Sequence, residues 1–129
     1  MGIKLIWDND EKTILRRVLL GRWTAEEYLN SVNRAYKLLN GLDHTVHLII
    51  DGTQENRTPS NILSIIRNID DKIAPNQGIV VLVGVDDTYK SIAKAARKLA
   101  PRAMQNRHYA ETLDHARRLI ADSVLSDPT

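Results

Sequence analysis

Clustered acids and histidines are the residue types in this chain best suited to moving protons or holding a metal. Asp8, Asp10 and Glu11 fall together early in the chain, and Asp86 and Asp87 pair later. Paired carboxylates perform general acid–base work or bind Mg²⁺. The same residue types start turns and cap helices, and that simpler role fits their positions after apolar runs. His44 and His47 are three apart, which on a strand sends their side chains to opposite faces. They read as a loop histidine beside a strand histidine, with no metal assigned. The chain has no cysteine, which excludes disulfides, thiolate metal sites and cysteine nucleophiles. Tyr89-Lys90-Ser91 follows a strand but lacks the second glycine of a phosphate loop. A G-x-G-x-x-G fingerprint and a G-x-S-x-G elbow are both missing. No catalytic residue, metal ligand or cofactor is therefore assigned, and a non-enzymatic role is expected.

Basic residues form a second pattern. Lys90, Lys94, Arg97 and Lys98 follow i, i+4, i+7, i+8 and share one helical face. Arg102 and Arg107 extend it, and Arg117-Arg118 add to it from the last helix. Tyr89, Ile92, Ala96, Leu99 and Ala103 lie on the opposite side. Exposed Lys and Arg are ordinary solvated surface. The sharper reading is an anion patch of Lys90, Lys94, Arg97, Lys98 and Arg102, facing an acidic protein, an anionic lipid or nucleic acid. No aromatic residues interleave the cations, which argues against single-stranded nucleic acid.

The elements that position these residues alternate between strand and helix. Ile3 to Trp7 and Thr13 to Leu20 read as an antiparallel strand pair around a tight polar loop. Thr24-Ala25-Glu26-Glu27 is a capping box, with Trp23 and Tyr28 placed as a hydrophobic staple. Leu29, Val32, Tyr36 and Leu39 continue that helix to Gly41. Val46 to Ile50 is a strand ending at Asp51-Gly52. Thr58-Pro59 predicts a second helix, with Thr58 as cap and Pro59 as first residue, and an apolar stripe of Ile62, Ile65, Ile66, Ile69 and Ile73. Ile79 to Val83 has no alternation and reads as a central strand buried on both faces. Asp86-Asp87-Thr88 caps a third helix from Tyr89 towards Ala100, where Pro101 ends or kinks it. Arg107 to Ala110 is a last strand, and Thr112 caps a final helix carrying Leu113, Ala116, Leu119 and Ile120. The order ββαβαβαβα implies an α/β fold with a mixed, mostly parallel sheet and helices packed on it.

A length of 129 residues suits one domain, 1–125, with Ser126-Asp127-Pro128-Thr129 as a frayed tail. The apolar runs are far shorter than the ~20 residues of a membrane helix. The N-terminus has neither a signal-peptide shape nor a myristoylation pattern, since Ile6 stands where Ser or Thr is needed. A cytoplasmic location is expected. The net charge of +2 is too small to argue for nucleic acid, which is not expected as a partner.

Three stretches carry a family resemblance. Val18-Leu19-Leu20-Gly21-Arg22-Trp23-Thr24 resembles the second strand and first-helix start of STAS domains, the fold of anti-sigma-factor antagonists. Val46-His47-Leu48-Ile49-Ile50-Asp51 resembles the strand before the family's switch loop. Val80 to Gly84, the basic helix and Tyr109-Ala110-Glu111-Thr112-Leu113-Asp114-His115-Ala116 resemble its closing half. The chain looks like a divergent bacterial STAS-like protein, with a fold shared by CRAL-TRIO lipid carriers. The resemblance implies a regulatory module working by protein–protein contact. In antagonists of the family, a serine at the start of the helix after the switch loop is phosphorylated. Ser60 falls at that position, preceded by Pro59 where the family has Asp. Asp51, Gly52, Thr53, Arg57, Thr58 and Asn61 form the candidate interaction loop around it.

Two alternatives stand beside this reading. One is a carrier of a small apolar or anionic ligand between a helix and the sheet, with Trp7, Trp23 and Tyr36 as the side chains to watch and a cavity of ~300 Å³ or more as its requirement. The other is an enzyme of unrecognised type. A homodimer is compatible with all three.

Overall fold

Asn9 closes the first hairpin. Its carboxamide oxygen accepts from the Thr13 and Ile14 amides at 3.0 and 3.2 Å, and Lys12 completes the turn at φ 57°. The hairpin joins β1 (Ile3–Trp7) to β2 (Ile14–Leu19) in antiparallel register. The computed structural model describes residues 2–125, so the expected tail at 126–129 lies outside the described residues. After β2 come α1 (Ala25–Asn40), β3 (Val46–Asp51), α2 (Leu63–Ile66), β4 (Gln77–Val83), α3 (Asp87–Ala96), β5 (Arg107–Ala110) and α4 (Leu113–Leu125).

The five strands lie in chain order, β1-β2-β3-β4-β5, and every pair after the first is parallel. The fold is thus α/β with a mixed, mostly parallel sheet, as the element order predicts. When parallel strands follow one another in sequence order, crossovers of one hand set all the linking helices on one face. Accordingly α1, α2 and α3 share a core with Leu15, Leu19, Leu48, Ile50, Val80 and Leu82. Among the described residues only α4 covers the other face, packing Ala116 and Ile120 on Ile49, Val81 and Val83. The central position goes to β3, all six of whose residues are buried, and β4 lies beside it.

The capping box of α1 forms as expected. Glu27 N–H donates to the Thr24 hydroxyl at 3.0 Å, and Thr24 N–H donates to the Glu27 carboxylate at 3.0 Å. The same carboxylate takes the Gly2 amide at 2.8 Å, tying the chain start to this helix. Trp23 and Tyr28 stack with ring centroids 5.5 Å apart.

The second helix departs from expectation. It is a broken run: a 3₁₀ turn over Ser60–Ile62, the single α-turn of α2, and another 3₁₀ turn over Arg67–Ile69. Its isoleucines are β-branched and lose χ1 freedom in a helix. Ser64 bonds back to the Asn61 carbonyl at 2.7 Å, which loosens the ladder further. Pro59 stands at the cap position with extended backbone and no side-chain cap. Thr58 does not cap this run, because its hydroxyl is taken by Asp86.

Helix α3 ends at Ala96, before the Ala100 expected from the sequence. Turns continue it irregularly to β5, held by Asp70, whose carboxylate accepts the Arg102 and Ala103 amides at 2.7 and 2.9 Å.

Replacing Thr24 by Ala removes one arm of the capping box. Urea denaturation should register a loss of about 1 kcal/mol with an unchanged m-value.

Candidate functional site

The carboxyl ends of β2, β3 and β4 bring three loops together. Asp51 closes β3 with its side chain buried, 1% exposed. Its Oδ1 accepts the Thr53 amide at 2.9 Å and the Thr53 hydroxyl at 2.6 Å, and its Oδ2 accepts from Arg16 at 2.8 Å. Burial opposes ionisation, but the Thr53 bonds and the Arg16 guanidinium outweigh it and hold the carboxyl below its ordinary value. Gly52 then passes against the β4 end, its N–H donating to Val83 at 2.6 Å. A Cβ on Gly52 would sit 2.8 Å from the Gly84 carbonyl oxygen, so only glycine fits this crossing.

The rest of the loop is braced. Gly21 N–H donates to Glu55 at 2.8 Å, and Arg57 N–H donates to Gly21 at 2.8 Å, a short parallel bridge to the chain leaving β2. Asn56 donates to the Gly52 and Gln54 carbonyls at 3.0 and 2.8 Å. The buried Thr58 gives its hydroxyl to Asp86 at 2.9 Å. Asp86 also caps α3 by accepting the Tyr89 amide at 2.8 Å. Burial raises the pKa of Asp86, yet these bonds and the nearby Arg57 leave it below the ordinary range. The structure thus brings Asp51, Gly52, Thr53, Arg57, Thr58, Ser60 and Asn61 into one segment. Thr53, Arg57, Ser60 and Asn61 are exposed on it, whereas Asp51, Gly52 and Thr58 hold it from beneath. Asp86 was missed as part of this site, because a helix cap and a loop clasp look alike in sequence.

The acidic cluster of the first turn divides. Asp10 and Glu11 are exposed. Asp8 turns inward, pairing with Arg16 at 3.1 Å and Arg117 at 2.9 Å, with its side chain 3% exposed. Arg117 therefore does not extend the basic surface of α3, since α4 lies on the opposite face of the sheet. His44 sits in the turn before β3, against the Lys12 carbonyl at 2.9 Å. His47 is buried, and its Nδ1 accepts from the Ile79 amide at 3.1 Å; burial depresses its pKa. Among the described residues no group of three or more acids and histidines could hold a metal ion.

The anion patch assembles in part. Lys90, Lys94 and Arg97 line an open groove of about 230 Å³ between α3 and β5, joined by Arg107 and Tyr109. Lys98 and Arg102 are exposed but do not line it. Lys90 lies over the Tyr109 ring at 5.7 Å. Arg107 and Tyr109, two apart on a strand, share the face that looks toward α3. That spacing was the available signal for adding Tyr109 to the patch.

Between the helices and the sheet, the cavities measure about 30 and 10 Å³. They admit water-sized molecules and fall short of the ~300 Å³ that a carrier of drug- or lipid-sized ligands requires. Tyr36 lines the larger of the two. Trp23 is core, 2% exposed, and Trp7 is half-buried beneath the Lys12 ammonium at 5.9 Å.

No family model, curated protein or solved structure matches the chain. Among the described residues no helix is long and apolar enough to cross a membrane.

The depressed pKa of Asp51 makes its contribution pH-dependent. Its carboxylate stabilises the fold above the ordinary carboxylate pKa, and that stability is lost as pH falls through the lower folded value. Asp51→Asn should cost about 3 kcal/mol near neutrality. Urea titrations repeated at descending pH should find the gap from wild type narrowing below ~4.

Proposed function

We propose that this chain is a STAS-like regulatory module that acts by protein contact, through the segment from Gly52 to Asn61. The observation that carries the reading is the braced loop. Its backbone is held by Asp51, Gly21, Asn56 and the Thr58–Asp86 clasp, while Thr53, Gln54, Glu55, Arg57, Ser60 and Asn61 stand exposed. A loop whose backbone is already ordered loses little conformational entropy on docking, which favours affinity. The surface beside it is an open depression bordered by Gly21, Arg22, Glu55, Asn56, Arg57 and Asp86, a shape that suits a protein surface.

The resemblance to anti-sigma-factor antagonists supports the same reading. The strand ending in Asp51, the loop and the exposed hydroxyl of Ser60 follow the family's order. Phosphorylation of Ser60 would add a charge of about −2 to a surface that otherwise carries Arg57, Glu55 and neutral polar groups. Such a charge repels an acidic partner and switches the contact off. Pro59 in place of the family's Asp removes one negative charge beside the hydroxyl, so a kinase for this site would recognise a less acidic loop. A cytoplasmic setting belongs to this reading.

Partner retention from host lysate tests it, with wild type, Ser60→Ala and Ser60→Asp as baits. One protein held by wild type and Ser60→Ala but reduced tenfold or so by Ser60→Asp (about 1.4 kcal/mol) is the expected result. Equal retention by all three baits overturns the switch. Retention that also survives Arg57→Glu and Asn61→Ala overturns the loop as the contact surface.

A further inference from the structure

Consecutive residues on a strand face opposite sides of the sheet, and β2 places two arginines in succession. Arg16 turns toward α4 and meets two carboxylates, Asp8 at 3.1 Å and Asp51 at 2.8 Å. Arg17 turns toward α1 and meets none. It is 4% exposed, its guanidinium lies over the Tyr28 ring at 5.0 Å, and its Nε has no hydrogen-bond partner. A second arginine faces the same interior from β5. Arg107 donates from Nη1 to the Tyr89 hydroxyl at 3.2 Å and from Nε to the Ala103 carbonyl at 3.2 Å. No ion pair between a carboxylate and either Arg17 or Arg107 occurs among the described residues.

Both arginines line one cavity of about 30 Å³ between α1, the broken second helix and the sheet. Lys72, half-buried, lines it too. Among the described residues three cationic side chains thus border this space, and no acid does. A buried guanidinium without a counter-charge is strongly unfavourable, because the interior dielectric is low. The remaining lining is mostly aliphatic, with Val32, Leu39 and Leu48 among it, and offers no counter-charge.

We propose that this cavity is a binding site for one small monovalent anion of halide size, held between the guanidiniums of Arg17 and Arg107. The volume sets the size limit. A water requires ~10–15 Å³ by this measure, so the space takes a halide or a comparably small anion and excludes nucleotides and lipid headgroups. The lining sets the preference. Guanidinium is weakly hydrated and the walls are apolar, so an anion that sheds water easily is favoured: bromide over chloride, and chloride over fluoride. Tyr28 lies in the field of both guanidiniums. Burial raises the pKa of Tyr28, but Arg17 and Arg107 more than offset it and leave it below the ordinary phenol value. Tyr89, 3.0 Å away, is pushed up by burial and by its neighbour Tyr28.

The site is independent of the loop at the carboxyl ends of the strands, so it stands or falls separately from the proposed contact function. The test uses the purified chain in sodium bromide, sodium fluoride and sodium gluconate at matched ionic strength. Expected is a rise in Tm that saturates with bromide, as linkage to a single site requires, and is absent with gluconate. Crystals grown in bromide should show an anomalous peak between Arg17 and Arg107. Arg17→Met keeps length and removes the charge, and should weaken bromide affinity by about tenfold or more. If Arg17→Met does not fold, the anomalous map of the wild type decides. A Tm that rises equally in all three salts, together with no anomalous peak, overturns the proposal. So does tyrosinate absorbance at neutral pH in bromide, which would place the counter-charge on Tyr28 itself.

Discussion

One buried carboxylate organises the end of the sheet where the loops gather. Asp51 terminates the central strand and divides its two oxygens between neighbours of different kinds. One oxygen fixes the Thr53 amide and hydroxyl, which sets the direction in which the loop leaves. The other holds Arg16 of the adjacent strand. Arg16 is shared with Asp8, and Asp8 with Arg117, so alternating charges run from the central strand across β2 and the hairpin to α4. Within this series each charge has an opposite neighbour, which offsets the cost of burying it.

The two faces of the sheet solve the same problem differently. On the α4 side, arginines and aspartates neutralise one another. On the side of α1, α2 and α3, the charged groups lining the interior cavity are the guanidiniums of Arg17 and Arg107 and the Lys72 ammonium, beside the hydroxyls of Tyr28 and Tyr89. Side-chain alternation along β2 assigns Arg16 to the first environment and Arg17 to the second. The broader face also carries the groove of Lys90, Lys94, Arg97 and Arg107, so positive charge continues from the interior to the surface along Arg107.

Where local signals suffice, the fold was legible in the residues. The Thr24–Glu27 box, the bounds of β5 and the Thr112 cap, whose hydroxyl takes the His115 amide at 3.0 Å, all follow from a few neighbouring side chains. Thr58 looked like a helix cap for the same local reason, and it failed because Asp86, 28 positions away, offers its hydroxyl a charged acceptor. The end of α3 was hidden likewise, since Asp70 draws the amides of Arg102 and Ala103 from another part of the chain. Of the candidate site, the loop residues were legible as a stretch, but which of them brace and which display is set by tertiary partners. Strand alternation sends the adjacent Arg16 and Arg17 to opposite faces, but that only Arg16 meets carboxylates is set by the packing of Asp8 and Asp51.

The ion pair between Asp8 and Arg117 joins residues 109 positions apart. During synthesis the hairpin and the first three parallel strands emerge long before α4. Until α4 arrives, Ile49, Val81 and Val83 have no helix over them, and Asp8 has only Arg16 as its cation. The nascent chain therefore presents an apolar strip along β3 and β4 beside an incompletely neutralised carboxylate. Folding of the final thirteen-residue helix covers both at once. Of the elements described, α4 is the one that closes the sheet, and a chain interrupted before Ala116 retains a sticky face.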